Sequence, residues 1–394
     1  MFKSDIVLCS PVRTAIGTYN GSLKQTPAVE LGAAVIGEIM RRTGMDAKTI
    51  DSVVMGNVVQ AGNRMNPARQ AAINGGLTVH TPALTVNRVC GSGAQAIVNA
   101  AHEVAVGAAK VTIAGGMENM DLAPYLVGGG RWGYRMGDAE IYDSMLRDGL
   151  KDAFSGEHSG WHTEDLIAKY AISREEQDRW AERSQQRFAK AQEAGHFVQE
   201  IVGIELSGKG GVFLFDKDEA NRPDTTLEKL AKLNAAFRKD GTLTAGNSPG
   251  LNSGAAAMIV TTPDMAQHHG LEPMARLVAY GISAVEPGMF GIAPAPAIKQ
   301  ALARANWQQN EVERLEINEA YAAVPLAVIK ELGLSAELVN VEGGAVALGH
   351  PIGATGAVLT TRLIYSMRRD GLKRGVVSLC IGGGQGIALA LEII

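Results

Sequence analysis

Four short stretches of the chain each set one reactive side chain among small residues. Cys90 opens Cys90-Gly-Ser-Gly93, between a strand-like run and a glycine-rich helix start. Unpaired backbone N–H groups and the helix dipole stabilise a thiolate at such a place, and the same N–H groups can hold a carbonyl oxygen as it becomes an oxyanion. His350 lies in Gly349-His350-Pro351-Ile-Gly-Ala-Thr-Gly356, whose small neighbours let a substrate or another chain approach closely. Cys380 ends an apolar strand before Ile381-Gly-Gly-Gly-Gln-Gly386, and Asn318 follows the strand-like Leu315-Glu-Ile317. Taken singly, each has a plainer explanation: a small buried cysteine, a packed histidine, a capped strand-to-helix turn. Four such turns, each off the carboxyl end of an apolar strand, fit packing accidents poorly, because α/β sheets hold their ligands there.

The elements that must position them alternate. Strands are expected at Ile6–Cys9, Ser52–Gly56, Ala83–Val86 and Val111–Gly115. Between them run a helix that Thr26 can cap, with Pro27 at its first position and Gly44 past its end, a second near Pro67–Ile73 and a third from about Ser92. From about 121 to 246 the chain is richer in charge and reads as an insertion riding on this core. One long helix is signalled there by the capping box Ser173-Arg-Glu-Glu176 and runs towards Gly195. After about 272 the alternation resumes: strands at Met274–Val278, Arg314–Ile317, Leu338–Val341, Gly375–Leu379 and up to Ile394, and helices from about Ala295, Glu319 and Gly353. The two ends follow one plan of reactive residue, glycine-rich helix start, helix, strand and glycine turn. A duplicated α/β unit explains this, with residues 1–268 and 272–394 as its two domains and both helix starts at a shared crevice.

Composition closes off other classes. With 394 residues, 37 Lys+Arg against 41 Asp+Glu and 46% hydrophobic residues, the chain has ample apolar surface for two or three domains and no basic excess for nucleic acid. The opening residues carry an acid at Asp5 and only a short apolar run, which argues against a targeting segment, and no run is long enough to span a bilayer. Three cysteines, Cys9, Cys90 and Cys380, suit neither a zinc pattern nor a disulfide framework, so a reducing cytoplasm is expected.

Val86-Asn-Arg-Val-Cys90-Gly-Ser-Gly93, Asn318-Glu-Ala-Tyr321, Gly343-Gly-Ala-Val-Ala-Leu-Gly-His350-Pro-Ile-Gly-Ala-Thr-Gly356 and Cys380-Ile-Gly-Gly-Gly-Gln-Gly386 resemble the signature motifs of the thiolases. Val12-Arg-Thr-Ala-Ile-Gly17, Asn66-Pro-Ala-Arg69 and Thr242-Leu-Thr-Ala-Gly-Asn247 extend the likeness over essentially the whole chain. The resemblance implies a duplicated five-layer α-β-α-β-α fold with an inserted loop domain, as a homodimer or homotetramer. It implies reversible Claisen chemistry on coenzyme A thioesters, with acyl-CoA and CoA as partners, no cofactor, no metal, no nucleic acid and no membrane. Carried over residue by residue, Cys90 is the nucleophile, His350 takes its proton, and Cys380 is the base and acid at the acetyl carbon. One oxyanion falls to His350 with a water fixed by Asn318, the other to the N–H groups of Cys90 and Gly382. Arg222 matches a contact to adenine, and His158, Leu233, Phe237, Ala320 and Tyr321 match pantetheine or acyl contacts.

The sequence also departs from the family. Ser159 stands where Met is common, Asn247-Ser248-Pro249-Gly250 where Asn-Ala-Ser-Gly is usual, and Phe290 where short-chain members often have Met. Tyr321 replaces a usual Phe, Val324 a usual Gln, and Ala94 stands where many have Leu. These changes bear on the substrate, and a bulkier or more polar acyl chain than acetoacetyl is the expectation. Rival readings are a ketosynthase or hydroxymethylglutaryl-CoA synthase, a non-catalytic acyl-CoA-binding homologue, and a metal site at Glu157-His158-Ser-Gly-Trp-His162. The first would need a second His or a Glu acid where this chain has Asn318 and a second Cys; the second would be expected to have lost a reactive residue.

Overall fold

The computed structural model describes residues 5–208 and 210–394. Its first half runs β1 (Val7–Thr14), α1 (Ala28–Thr43), β2 (Ser52–Gly56), α2 (Pro67–Asn74), β3 (Ala83–Val86), α3 (Ser92–Ala105) and β4 (Val111–Asn119). Two helices of the intervening segment, α4 (Ser159–Lys169) and α5 (Arg174–Glu193), precede β5 (Asn252–Thr261). The second half runs β6 (Pro273–Ala284), α6 (Pro294–Ala305), β7 (Arg314–Ile317), α7 (Ala323–Leu332), α8 (Thr355–Asp370), β8 (Arg374–Ile381) and β9 (Gln385–Ile393).

The duplication is written in the sheet. Strands lie in the order β1-β5-β4-β2-β3 in one half and β6-β9-β8-β7 in the other, joined where β1 pairs antiparallel with β6. Polarity repeats as well: two antiparallel pairings, then parallel β4–β2 and β2–β3 in the first half and parallel β8–β7 in the second. The expected strand at Leu338–Val341 is instead a 3₁₀ turn, Ala336–Leu338, and a single parallel bridge from Val339 to Leu315. That bridge occupies the place that β3 fills in the first half.

Helices α1 and α2 cover one outer face and α6 the other, while α3 and α8 lie between the two sheet halves and touch strands of both. This is the expected five-layer α-β-α-β-α arrangement. The central helices meet at their starts through glycine. A Cβ on Gly356 would lie 2.3 Å from the backbone nitrogen of Ala94, and one on Gly93 2.8 Å from that of Ala357. No larger residue permits that approach.

Several local expectations are corrected. Thr26 does not cap α1: Pro27 holds the cap position with no side-chain hydrogen bond, while Gly44 closes the helix in the left-handed region as expected. No helix begins at Glu319; α7 starts at Ala323. The Glu319 carboxylate is buried and accepts from Trp180 Nε1 (2.8 Å), Ser184 Oγ (2.8 Å), Asn340 Nδ2 (2.9 Å) and the Val346 N–H (3.0 Å). Strand β5 has no counterpart in the sequence reading, because its Gly254-Ala-Ala-Ala257 run lacks the β-branched residues that mark a strand. It is nevertheless wholly buried between β1 and β4.

The insertion does not merely ride on the core. Its helix α5 carries the expected Ser173–Glu176 capping box, and its Phe188 sits in the central hydrophobic cluster. Arg13 of β1 is fully buried and donates to Glu200 (2.7 Å) and, in a two-pronged pair, to Asp218 (2.8 and 2.9 Å), both from the inserted segment. Buried charges of this kind persist only when every partner is in place.

Candidate active site

Cys90 stands on the turn between β3 and α3, and the turn is strained. Val89 has φ of +44°, a region that a β-branched residue rarely occupies. Ser92 of the Gly-Ser-Gly run holds it: its Oγ accepts from the Arg88 N–H (2.8 Å) and donates to the Val89 carbonyl (2.7 Å). The N–H groups of Gly382 and of Cys90 itself favour a thiolate at the half-buried sulfur, but burial outweighs them and, with the nearby Glu118 charge, pushes the thiol up to about 11. The resting residue is therefore a thiol that needs a base.

His350 supplies a ring of defined tautomer. Its Nδ1 lies 2.7 Å from Thr355 Oγ1, and that hydroxyl donates its own proton to the Pro351 carbonyl (2.9 Å). Thr355 can then only accept, so the ring proton is on Nδ1 and Nε2 presents its lone pair. Asn318 Nδ2 lies 3.4 Å from that Nε2, and the His350 N–H donates to Asn252 Oδ1 (2.8 Å). Burial lowers the imidazole to about 4, which keeps it neutral and able to take a proton.

Cys90, His350 and Gly382 share the wall of one cavity of about 800 Å³. Cys380 and Asn318 lie behind that wall, both fully buried. The Cys380 thiol is held well above its usual range by burial first and by the charge of Cys90 second, so the two sulfurs feel each other. Asn318 Oδ1 is buried and has no partner among the described residues, which leaves an acceptor where a fixed water was expected.

His158, Ser159, Phe237, Ser248, Phe290, Ala320 and Tyr321 also line this cavity. His158 stacks on Phe237 (4.7 Å between ring centroids), and Phe237 meets Tyr321 edge-on at 5.7 Å. Arg222 and Leu233 are not in it. They border a second cavity of about 470 Å³, which shares the Ser248–Leu251 wall with the first. As for the rival metal site, His158 is the N-cap of α4, its Nδ1 accepting from Gly160, and His162 Nε2 bonds Ser155 Oγ (2.7 Å). Among the described residues no group of three or more His, Cys, Asp or Glu could hold a metal ion.

Two family models match the chain in sequence order: the thiolase N-terminal domain over residues 6–264 and the thiolase C-terminal domain over 271–393. The chain belongs to the thiolase family. A relative named acetyl-CoA acetyltransferase, from Pseudomonas aeruginosa, is 49% identical over 388 residues, 98% of this chain and 99% of that one. A relative named probable acetyl-CoA acyltransferase, from Staphylococcus epidermidis, is 49% identical over 390 residues, 99% of each chain. Among solved structures, the Bacillus anthracis acetyl-CoA acetyltransferase superimposes with a TM-score of 0.97 at 43% identity. The human mitochondrial 3-ketoacyl-CoA thiolase does so with 0.97 at 40%, each over 100% of both chains.

Sequence reasoning missed several supports of this thiolase site. Thr355 lay inside a quoted motif, but its part in fixing the imidazole is visible only from the Pro351 carbonyl. Asn252 gave no local signal. Glu118 is buried and accepts from the N–H groups of Val58 (3.0 Å), Val59 (3.2 Å) and Gly353 (2.9 Å), tying the cavity wall to the His350 loop. Burial pushes its carboxyl up to about 7, against the pull of those three donors.

Proposed function

We propose that the chain catalyses reversible thiolysis of 3-oxoacyl-CoA, giving acyl-CoA and acetyl-CoA through an acyl group carried on Cys90. The thiolase class follows from family membership. What supports these roles is that Cys90, His350 and the Gly382 N–H share one cavity wall while Cys380 lies within electrostatic reach of Cys90. A thiolate serves because it is both a nucleophile and a good leaving group.

In the cleavage direction His350 Nε2 takes the Cys90 proton, and the sulfur bonds to the 3-oxo carbon. The bond between carbons 2 and 3 breaks, and its electron pair leaves as the enolate of acetyl-CoA, which Cys380 protonates. The thiol of free CoA then attacks the acyl-Cys90 thioester. Its proton goes to the Cys380 thiolate left by the first half-reaction, the resulting acyl-CoA departs, and the proton held on His350 returns to Cys90, which restores both thiols. Each step makes an oxyanion that needs donors: the Cys90 and Gly382 N–H groups for one, His350 with an Asn318-held water for the other. The second cavity beside Arg222 and Leu233 is read as the seat of the nucleotide end of CoA, the Ser248–Leu251 wall lying between it and the acyl end.

A homodimer or homotetramer is part of this reading, supported by exposed apolar residues such as Trp132 and Met136. A cytoplasmic setting is supported by free Cys9, Cys90 and Cys380. Among the described residues no helix is long and apolar enough to cross a membrane. The deciding experiment follows CoA-dependent loss of 3-oxoacyl-CoA by the wild-type protein and by Cys90→Ser. Turnover by the first and none by the second is expected; acyl transfer onto the serine variant at the wild-type rate would refute the assignment.

A further inference from the structure

Two of the departures from the family touch each other. The Ser159 and Tyr321 hydroxyl oxygens lie 2.8 Å apart, and both residues line the cavity that holds Cys90. Tyr321 is buried, and Ser159 is its hydroxyl's partner among the described residues. The pair is held firmly: Phe237 packs edge-on against the Tyr321 ring, and Ser159, the first residue of α4, accepts at its carbonyl from Thr163 Oγ1 (3.0 Å). Phe290, Ala320 and Phe237 line the same cavity, with His158 stacked on Phe237.

Two hydroxyls bonded to one another use one proton between them. One O–H and several lone pairs remain unspent on two residues that line a cavity a bound thioester would dry. A purely aliphatic acyl chain would strand them away from water, whereas a chain bearing an oxygen would pair with them. A site built to hydrogen-bond its substrate discriminates against the analogue lacking that group far better than an apolar pocket discriminates by size. We infer that the Ser159–Tyr321 hydroxyl pair selects 3-oxoacyl-CoA thioesters whose acyl chain carries a hydrogen-bonding oxygen, hydroxyl or carboxylate. This rests on the thiolase reading above and deepens it by naming the substrate class.

The test compares thiolysis of three thioesters of equal chain length: 3-oxohexanoyl-CoA, its 6-hydroxy derivative and 3-oxohexanedioyl-CoA. For the wild-type protein, kcat/KM for at least one oxygenated thioester should exceed that for the aliphatic one tenfold or more. Which one it is tells hydroxyl from carboxylate recognition. Tyr321→Phe and Ser159→Ala each remove a hydroxyl with little change of shape, and each should shrink that ratio about tenfold, mainly through KM. Aliphatic preference in the wild-type protein, equal rates on all three, or ratios unmoved by both substitutions would overturn the inference while leaving the reaction standing. Failure to cleave any of the three would instead remove the reaction and the inference with it.

Discussion

The Glu118 carboxylate accepts the Gly353 N–H at 2.9 Å, which ties β4 of the first half to the loop that carries His350 in the second. The same carboxylate accepts from the N–H groups of Val58 (3.0 Å) and Val59 (3.2 Å) and from Asn57 Nδ2 (2.8 Å). Glu118 has a raised carboxyl, about 7 against an ordinary 4.5. A group whose folded value is raised binds more protons in the folded chain between those limits, so its stability contribution is present below the lower value and lost as pH rises to the upper one. That difference corresponds to about 3 kcal/mol. In urea titrations from pH 4.5 to 7.5 the wild-type midpoint should fall, and Glu118→Gln should flatten the fall. An unchanged slope in the variant would show that Glu118 does not titrate in this window.

Separating the two sulfurs by function is the next prediction. Cys380→Ala should still accept an acyl group on Cys90 but exchange carbon–carbon bonds at least about a hundredfold more slowly, the usual size of a lost general acid or base. Radiolabelled acyl transfer measured beside condensation rates makes the distinction. Equal loss of both steps would assign Cys380 to acylation instead.

Asn318→Ala should lower kcat by about a hundredfold, corresponding to about 3 kcal/mol for one oxyanion donor. Thr355→Val should act differently, by freeing the imidazole to adopt the wrong tautomer. Its kcat should fall roughly tenfold or more with KM little changed, because Thr355 acts only through the ring whose Nδ1 it holds. Full activity in Thr355→Val would mean that the tautomer is set elsewhere.

Asp218→Ala leaves Arg13 buried with half its partners gone. Chemical denaturation should show a loss of about 3–5 kcal/mol, whereas exposed pairs such as Arg179–Glu175 should be worth well under 1 kcal/mol when broken. Comparable effects at the two places would contradict the burial argument.

Much of this was legible in residue order. Strands Ser52–Gly56, Ala83–Val86 and Arg314–Ile317 have the expected bounds because each is a short run holding Val, Leu or Ile that stops at an asparagine, Asn57, Asn87 or Asn318. Cys90, His350, Asn318 and Cys380 were marked by the small residues beside them. Residues whose role depends on distant partners were hidden. Glu319 looked like a first helical turn, since nothing local reveals that Trp180, Ser184, Asn340 and Val346 converge on it. β5 was invisible because alanine says little about strand or helix; its pairing on both sides decides the matter. Arg222 was read as an adenine contact and Leu233 with the pantetheine or acyl contacts, and only the three-dimensional arrangement places both at one neighbouring cavity.

The glycine crossing of α3 and α8 has a further consequence. Neither half of the chain owns the chemistry: the nucleophile hangs from one and its base, its second sulfur and the Gly382 donor from the other. The molecule behaves as a complex between two sister modules that happen to share a backbone, and reactivity appears only where their surfaces meet. Insertions far out on either module are thus cheap, whereas a methyl group at the seam would pry the reacting atoms apart.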